Sequence, residues 1–148
     1  MGIAYRTDPS KRFVVAVIDG QVSADEFYDV ARRQADDAAW RDCIRLLTDA
    51  TTADISPQIS GAELNEFAAR YAHMRTGAPP CRVAIVAGDD RALAGRYSDR
   101  RSDSETRVMP FRDLEPACAW LGVTVDDARG MIGELRDRLR GTREGADV

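Results

Sequence analysis

Several residue types that build functional sites are scarce in this chain of 148 residues. It has one histidine, His73, and three cysteines that lie far apart, Cys43, Cys81 and Cys118. A zinc site needs several converging ligands, and a serine or cysteine nucleophile needs a base beside it. The cysteines are therefore interpreted as buried free thiols and His73 as a surface residue. We expect neither a metal nor a cofactor.

Lysine and long apolar runs are also scarce. Lys11 is the only lysine among 21 basic residues, and the formal net charge is −4. An acidic chain repels nucleic acid and anionic membranes at long range. No apolar run approaches the roughly 20 residues that cross a bilayer, and the first residues include no stretch of signal-peptide type. These features predict a cytoplasmic protein that neither binds nucleic acid nor inserts into a membrane.

Catalytic fingerprints are missing as well. No GxSxG elbow occurs. Two aspartates, Asp89 and Asp90, follow the most apolar run, where a phosphate-binding loop would present backbone amides. With 25 acidic residues, pairs of carboxylates arise by chance and indicate no acid–base chemistry. The sequence therefore predicts a protein that is not an enzyme.

What the chain does contain is a regular alternation of apolar runs with amphipathic stretches, which is typical of an α/β domain. The apolar runs predict strands. The last of them is expected at an edge of the sheet, because Pro110 has no N–H to donate to a ladder. The predicted strands cover residues 3–6, 12–20, 43–50, 81–88 and 106–111.

Periodic stretches between these strands predict helices. Ser23 and Glu26 form a capping box that begins the first helix, which ends near Asp36 and Asp37. A second helix begins after Ser60, and a short one is expected over 89–101. A further helix has Asp113 as its cap. The residues expected on the buried faces of the first and last of these helices are Phe27, Val30, Ala31 and Gln34, and Leu114, Ala117, Cys118 and Leu121.

The C-terminal part has a seam of apolar residues at alternating spacings of 3 and 4, namely Val125, Ala128, Ile132, Leu135 and Leu139. Such a seam predicts a helix that packs on one partner. The partner is either the same domain or the second subunit of a homodimer. The predicted organisation is an α/β domain over 1–122, a C-terminal amphipathic helix over 123–141 and a disordered tail over 142–148.

Four segments stand in a characteristic order and spacing: "VVAVIDGQVSADEF", "LLTDATTADISPQISGAEL", "RVAIVAGD" and "MPFRDLEPACAWLG". Together they resemble the SpoIIAA-like family of bacterial proteins, which is related in fold to STAS domains. The resemblance covers roughly residues 3–122. It implies a four- to five-stranded mixed sheet flanked by helices, and binding of an apolar ligand by analogy with lipid carriers of similar fold.

Ser60 has two interpretations. STAS antagonists are switched by phosphorylation at an Asp-Ser-Ser-Gly sequence that heads the matching helix, and this chain has Gln58, Ile59, Ser60 and Gly61 there. The resemblance therefore makes Ser60 a candidate phosphoacceptor. Alternatively, Ser60 and Glu63 form a capping box, in which the hydroxyl accepts a backbone N–H of the first helical turn.

The helix after Ser60 has an apolar face at helical spacing, formed by Leu64, Phe67, Ala68 and Tyr71. This face either packs in the core or lines a crevice for an apolar molecule, with the Tyr71 hydroxyl as a polar handle. The candidate ligand-binding residues are Leu64, Phe67 and Tyr71.

Two charged features complete the candidates. Arginines at 91, 96, 100 and 101 follow the third long strand among several acidic residues, and Arg96 is the residue we expect at an anion if one binds there. Asp49 ends a predicted strand, where it either caps the next loop or contacts a ligand.

The function predicted from these residues is that of a non-enzymatic binding module, which holds a small apolar or amphipathic ligand in a crevice between helices and sheet. The alternative is a protein-interaction or signalling module of STAS type, which binds a regulatory protein or itself. The two differ in where the binding surface lies. Only the three-dimensional arrangement can distinguish them, because fold class does not determine function.

Overall fold

Five strands form one mixed sheet in the computed structural model, which describes residues 2–54, 61–88, 95, 99 and 105–146. The sheet is flanked by helices on both faces, which confirms the predicted α/β fold class. The strands are β1 (Gly2–Asp8), β2 (Phe13–Gln21), β3 (Arg45–Asp54), β4 (Cys81–Val86) and β5 (Thr106–Phe111). The helices named here are α1 (Ala24–Ala35), α2 (Ala38–Asp42), α3 (Gly61–Met74), α4 (Leu114–Leu121) and α5 (Val125–Ala146).

The order of the strands in the sheet is the order of the strands in the chain. β1 and β2 form an antiparallel pair, and β2 to β5 run parallel to one another. Connections between parallel strands are almost always right-handed, so successive steps in one direction leave the connecting helices on one face. α1, α2 and α3 accordingly share one face, and α4 and α5 cover the other.

The alternation of side chains along the strands divides the core into two layers. Val14 and Leu46 face α1 to α3 and pack with Trp40, whereas Val15 and Leu47 face α4 and α5. β2 and β4 therefore read as nearly continuous apolar runs, because both of their faces are covered.

Most predicted boundaries are confirmed within a few residues. Ser23 caps α1 by accepting the Glu26 N–H at 3.3 Å, and α1 ends before Asp36. β3 extends to Asp54, past the predicted end at 50. α2, with its buried Trp40, was not predicted. The prediction that Asp113 caps α4 is wrong, because its side chain makes no capping hydrogen bond.

β5 lies at one edge of the sheet, as Pro110 predicted. The carbonyls of Glu105 and Phe111 accept hydrogen bonds from Cys81 and Ala87 at the two ends of β4. Backbone groups alternate in direction along a strand, so those of Pro110 point away from β4. Proline therefore occupies a position where the ladder to β4 needs no donor.

The C-terminal helix α5 packs on β1 and β2 of its own chain. Ala128, Ile132, Leu135 and Leu139 are buried there, together with Met131. The predicted seam is thus correct, and its partner is the same domain. The helix ends at Ala146 rather than at the predicted residue 141.

Leu135→Ala tests how far the fold depends on this packing. Leu135 is fully buried, so its truncation should reduce the free energy of unfolding by about 3 kcal/mol. Urea denaturation followed by circular dichroism measures the change. Arg140→Ala, on the exposed side of α5, is the control and should change stability by less than about 0.5 kcal/mol. Equal effects of the two substitutions would contradict the observed packing.

Candidate functional site

One row of side chains crosses all five strands beneath α1 and α3. The register places Ala16 of β2 opposite Thr48 of β3, and Thr48 opposite Ile85 of β4. The row ends at Tyr5 on β1 and Pro110 on β5. It therefore runs across the middle of the sheet, where side chains of a covered sheet are usually large and buried.

The centre of this row has small side chains that are only half-buried. Ala16 and Thr48 are partly accessible to solvent, and so is Ala50 further along β3. On the opposite face, β2 and β3 carry larger, buried residues: Val15, Val17 and Leu47. We call Ala16, Thr48 and Ala50 the crevice floor, because they are small and partly accessible on the face under α1 and α3.

The joint between α1 and α3 lies on the same side of the sheet. Phe67 of α3 is buried, with its ring 5.1 Å from that of Phe27 and 4.9 Å from that of Tyr28, both on α1. The most extensive contacts of α3 within the described residues are with α1 rather than with a strand. Of the predicted ligand-binding residues, Phe67 thus joins the two helices.

Tyr71 lies one turn further along α3 and contacts two other elements. Its hydroxyl donates to Gln34 Oε1 at 2.7 Å, and its ring centroid is 6.1 Å from that of Trp40. The hydroxyl that was predicted as a polar handle for a ligand is therefore held by a side chain of α1. Gln34 is itself buried, so this hydrogen bond satisfies a polar group that burial would otherwise penalise.

The end of α3 is anchored by Arg75. Its guanidinium donates to the carbonyls of Arg41, Cys43 and Pro79 at 2.8–3.2 Å, and it lies over the Trp40 ring at 5.6 Å. Because these carbonyls belong to the end of α2 and to the segments that precede β3 and β4, Arg75 fixes the end of α3 at the amino edge of the sheet.

Tyr5, at the β1 end of the row, is held in a similar way. Its hydroxyl donates to Asp37 Oδ2 at 2.9 Å, and the other oxygen of Asp37 accepts the Trp40 N–H that begins α2. Burial, together with the hydrogen bond to the Asp37 carboxylate, raises the pKa of Tyr5 to about 12. This network of Tyr5, Asp37 and Trp40 was not predicted. Asp37 stands directly before "AAW" in the sequence, and an aspartate in that place is the local signal for the cap of α2.

A second polar cluster lies on the other face, at the carboxyl ends of β2 and β3. Val17 pairs with Asp49, but Asp19 pairs with Thr52, so β3 has one additional residue there. This β-bulge turns Asp49 and Thr52 towards α5, although an odd spacing would normally place them on opposite faces.

Arg136 of α5 joins the residues of the bulge. Its guanidinium donates to Asp49 Oδ2 and to the Thr52 hydroxyl, both at 2.8 Å, and lies 3.9 Å from Asp19 Oδ1. Asp49 is buried and also accepts the N–H of Thr51 at 3.0 Å and its hydroxyl at 2.7 Å. The predicted capping role of Asp49 is confirmed, although the residues that it caps belong to β3 and not to a loop. Arg136 was missed, because no local pattern relates it to Asp49.

The remaining candidates have different outcomes. Ser60, Arg96 and the side chain of Leu64 lie outside the described residues, and of the helix predicted over 89–101 only Gly95 and Asp99 are described, both as helical. His73 is exposed and the three cysteines are buried and free, as predicted. Burial raises the pKa of the Cys43 thiol to about 11 and also raises that of Cys118.

Among the described residues, no group of His, Cys, Asp and Glu has metal-binding geometry, and no helix is long and apolar enough to span a membrane. A surface groove of about 510 Å³ lies before β2 and β3, lined by Pro9, Arg12, Ala39 and Asp42. Arg12 Nε donates to the Asp42 carbonyl at 3.1 Å, so these two polar groups of the groove bond to each other.

Comparisons with known proteins add no assignment. No family profile, curated protein or solved structure matches the chain. The resemblance to the SpoIIAA-like family stays a prediction that rests on the four quoted segments.

A double-mutant cycle tests the Asp49–Arg136 pair. Arg136→Leu should destabilise the protein by about 2–3 kcal/mol, because it leaves a buried carboxylate without its cation. Asp49→Asn combined with Arg136→Leu should recover about 1 kcal/mol or more of that loss. Arg129 is on α5, like Arg136, and forms an exposed ion pair with Glu115 of α4. Arg129→Leu should therefore reduce the free energy of unfolding, measured by urea titration, by less than about 1 kcal/mol. Strict additivity within the cycle would contradict a coupled pair.

The Tyr5–Asp37 bond predicts a pH dependence at alkaline pH. The pKa of Tyr5 in the folded protein is about 12, above the ordinary 10.0, so the unfolded chain loses this proton first as pH rises. The stabilisation is present below pH 10 and is lost as pH approaches 12. Tyr5→Phe should therefore flatten the decline of unfolding free energy over this range. The Cys43 thiol, with a pKa of about 11, contributes equally to the pH dependence of both proteins. Equal slopes of unfolding free energy against pH above pH 10 would therefore disprove the role of Tyr5.

Proposed function

We propose that this chain is a non-enzymatic binding module of SpoIIAA-like type, which holds a small apolar or amphipathic ligand between the sheet and the helices α1 and α3. The observation that carries the proposal is the crevice floor: Ala16, Thr48 and Ala50 are small and half-buried at the centre of the sheet. Small side chains there leave apolar surface that a ligand can cover.

The contrast between the two faces supports this proposal. Over β2 and β3, the face under α4 and α5 is filled by larger buried side chains such as Val15, Val17 and Leu47, so these strands do not require small residues. Atoms that line an empty space beside small residues lack dispersion contacts on that side. A bound apolar molecule restores those contacts without any change in the fold.

The residues around the floor indicate where the crevice opens. Trp40 and Tyr71 pack over Val14 and Leu46, which precede Ala16 and Thr48 by two positions on their strands. These rings close the amino side of the crevice. Its opening is therefore proposed at the carboxyl ends of the strands, where α/β sheets usually bind ligands.

The chemistry of the walls favours an apolar ligand body. The aromatic groups of α1 and α3 supply apolar surface, and the Tyr71 and Tyr5 hydroxyls are hydrogen-bonded to Gln34 and Asp37. A ligand with many polar groups would have to break these bonds and leave buried polar atoms unsatisfied. A single polar group at the open end of the crevice stays solvated, which suits an amphipathic molecule.

Titration of delipidated protein with a fluorescent polyene fatty acid tests the proposal. Saturable uptake of one molecule per chain is expected. Ala16→Leu with Thr48→Leu fills the crevice and should weaken uptake by about tenfold or more, because each displaced CH₂ forfeits about 0.8 kcal/mol. Tyr71→Ala, which opens the amino side, should also weaken uptake.

Thr48→Val is the matched control, because it keeps the shape of the threonine and should retain uptake. Thermal melts of all variants separate lost binding from lost folding. Absence of saturable uptake at high micromolar ligand would contradict the proposal, and so would full uptake by a folded double-leucine variant.

A further inference from the structure

The face of β5 on the side of α4 carries an exposed apolar residue, Met109, between an arginine and an aromatic residue. Arg107, Met109 and Phe111 occupy every second position of the strand and so share one face. Met109 is 42% exposed and is the one exposed large apolar residue in the described part of the chain. Phe111 packs at the margin of the core layer under α4 and α5.

Aromatic and basic side chains continue this surface onto β4 and α4. The ring centroids of Phe111 and Trp120 are 5.7 Å apart, and the Arg82 guanidinium lies 5.5 Å from the Trp120 centroid. The register places Arg82 beside Arg107 and Ala84 beside Met109. We call Arg82, Arg107, Met109, Phe111 and Trp120 the Met109 patch.

The packing of α4 explains why this patch stays open. α4 lies mainly over β4 and reaches only the margins of β3 and β5. Arg82 donates to the Trp120 carbonyl at 2.9 Å, and Arg45 donates to the Leu121 carbonyl at 3.1 Å. The two arginines thus bind the C-terminal end of α4, where cations are favoured, and hold it away from the edge strand.

The charge of the patch differs from that of the whole chain. Among the ion pairs of the described residues, none involves Arg82 or Arg107, although the chain has an excess of carboxylates and a net charge of −4. The Arg82 guanidinium has more donors than the one that bonds Trp120. Both arginines are exposed, so they can form forked bonds to carboxylates of another molecule.

We infer that the Met109 patch is a docking surface for an acidic, partly apolar segment of another protein. Arginine, tryptophan, phenylalanine and methionine are the residue types enriched in protein interfaces. Met109 and Phe111 would receive apolar side chains of the partner, and Arg82 and Arg107 would pair with its carboxylates. The strip is only about two strand spacings wide, roughly 10 Å, which suits a short segment of chain.

A second copy of this chain is a poorer occupant. Symmetric dimers place the same surface of both subunits in contact. Two Met109 patches face to face would bring the arginines of one near those of the other, and none of the five patch residues carries a carboxylate. Like charges opposed across an interface are unfavourable, so the patch favours a different protein.

Selection from a random twenty-residue peptide library displayed on phage tests the inference against the immobilised full chain. Enriched peptides should combine Asp or Glu with large apolar residues. Synthetic copies of them should bind in a fluorescence anisotropy titration, with affinity that falls as salt increases. Arg107→Gln with Met109→Ser should weaken this binding by about tenfold, as expected for the loss of an interface hot spot.

Arg32→Gln is the matched control, because Arg32 is an exposed arginine of α1, on the opposite face, and pairs with Asp29. It should change binding by less than about a factor of two. Charge reversal by Arg107→Glu should shift a repeated selection towards basic peptides. Thermal melts confirm that the variants remain folded.

Three results would overturn the inference. The first is an enriched set with no excess of acidic residues. The second is equal binding of the selected peptides by the Arg107→Gln, Met109→Ser protein and the unsubstituted one. The third is a stable dimer in sedimentation that Arg107→Glu disrupts, which would identify the occupant as a second copy. None of these results depends on whether the crevice under α1 and α3 takes up a fatty acid.

Discussion

The packing of α5 on β1 and β2 completes the cover of a sheet face that α4 covers mainly over β4. The steps from β2 to β5 all run in one direction, so right-handed connections place α1 to α3 together on one face. A parallel sheet needs cover on both faces, because its central strands are apolar on both. α4 and α5 supply the second layer, and six of the ten largest fully buried side chains among the described residues belong to it.

The two layers differ in how completely they are filled. Under α5, valines and leucines of the strands interlock with Ile132 and Leu135, and the Asp49–Arg136 pair ties the carboxyl end of β3 to the helix. Under α1 and α3, contacts concentrate in the aromatic joint between the helices and in the Trp40 cluster at the amino side. In the proposed function, the filled layer supports the sheet and the other layer holds the ligand.

The two proposed surfaces differ in chemistry and lie on opposite faces of the sheet. The proposed crevice is largely apolar, and the Tyr5 and Tyr71 hydroxyls beside it are already hydrogen-bonded, so it would select a ligand by shape and apolar area. The Met109 patch is open and basic in an acidic protein, so charge contributes to its choice of partner. β4 borders both, because its Ile85 lies in the row that contains the crevice floor and its Arg82 belongs to the patch.

The sequence by itself determined the elements whose signals are local. Capping by Ser23, the edge position of Pro110 and the apolar seam of α5 each follow from residues a few positions apart, and all three are confirmed. Burial of the cysteines also followed from their chemistry and isolation. Tertiary structure alone decided which partner the seam packs on, because a helical stripe fits its own sheet or another subunit equally well. It also decided the bulge that brings Asp49 to Arg136, since residues so distant in sequence leave no local pattern. The half-buried state of Ala16 and Thr48 depends on where α1 and α3 come to rest, which is set by contacts among aromatic rings that no spacing along the chain specifies.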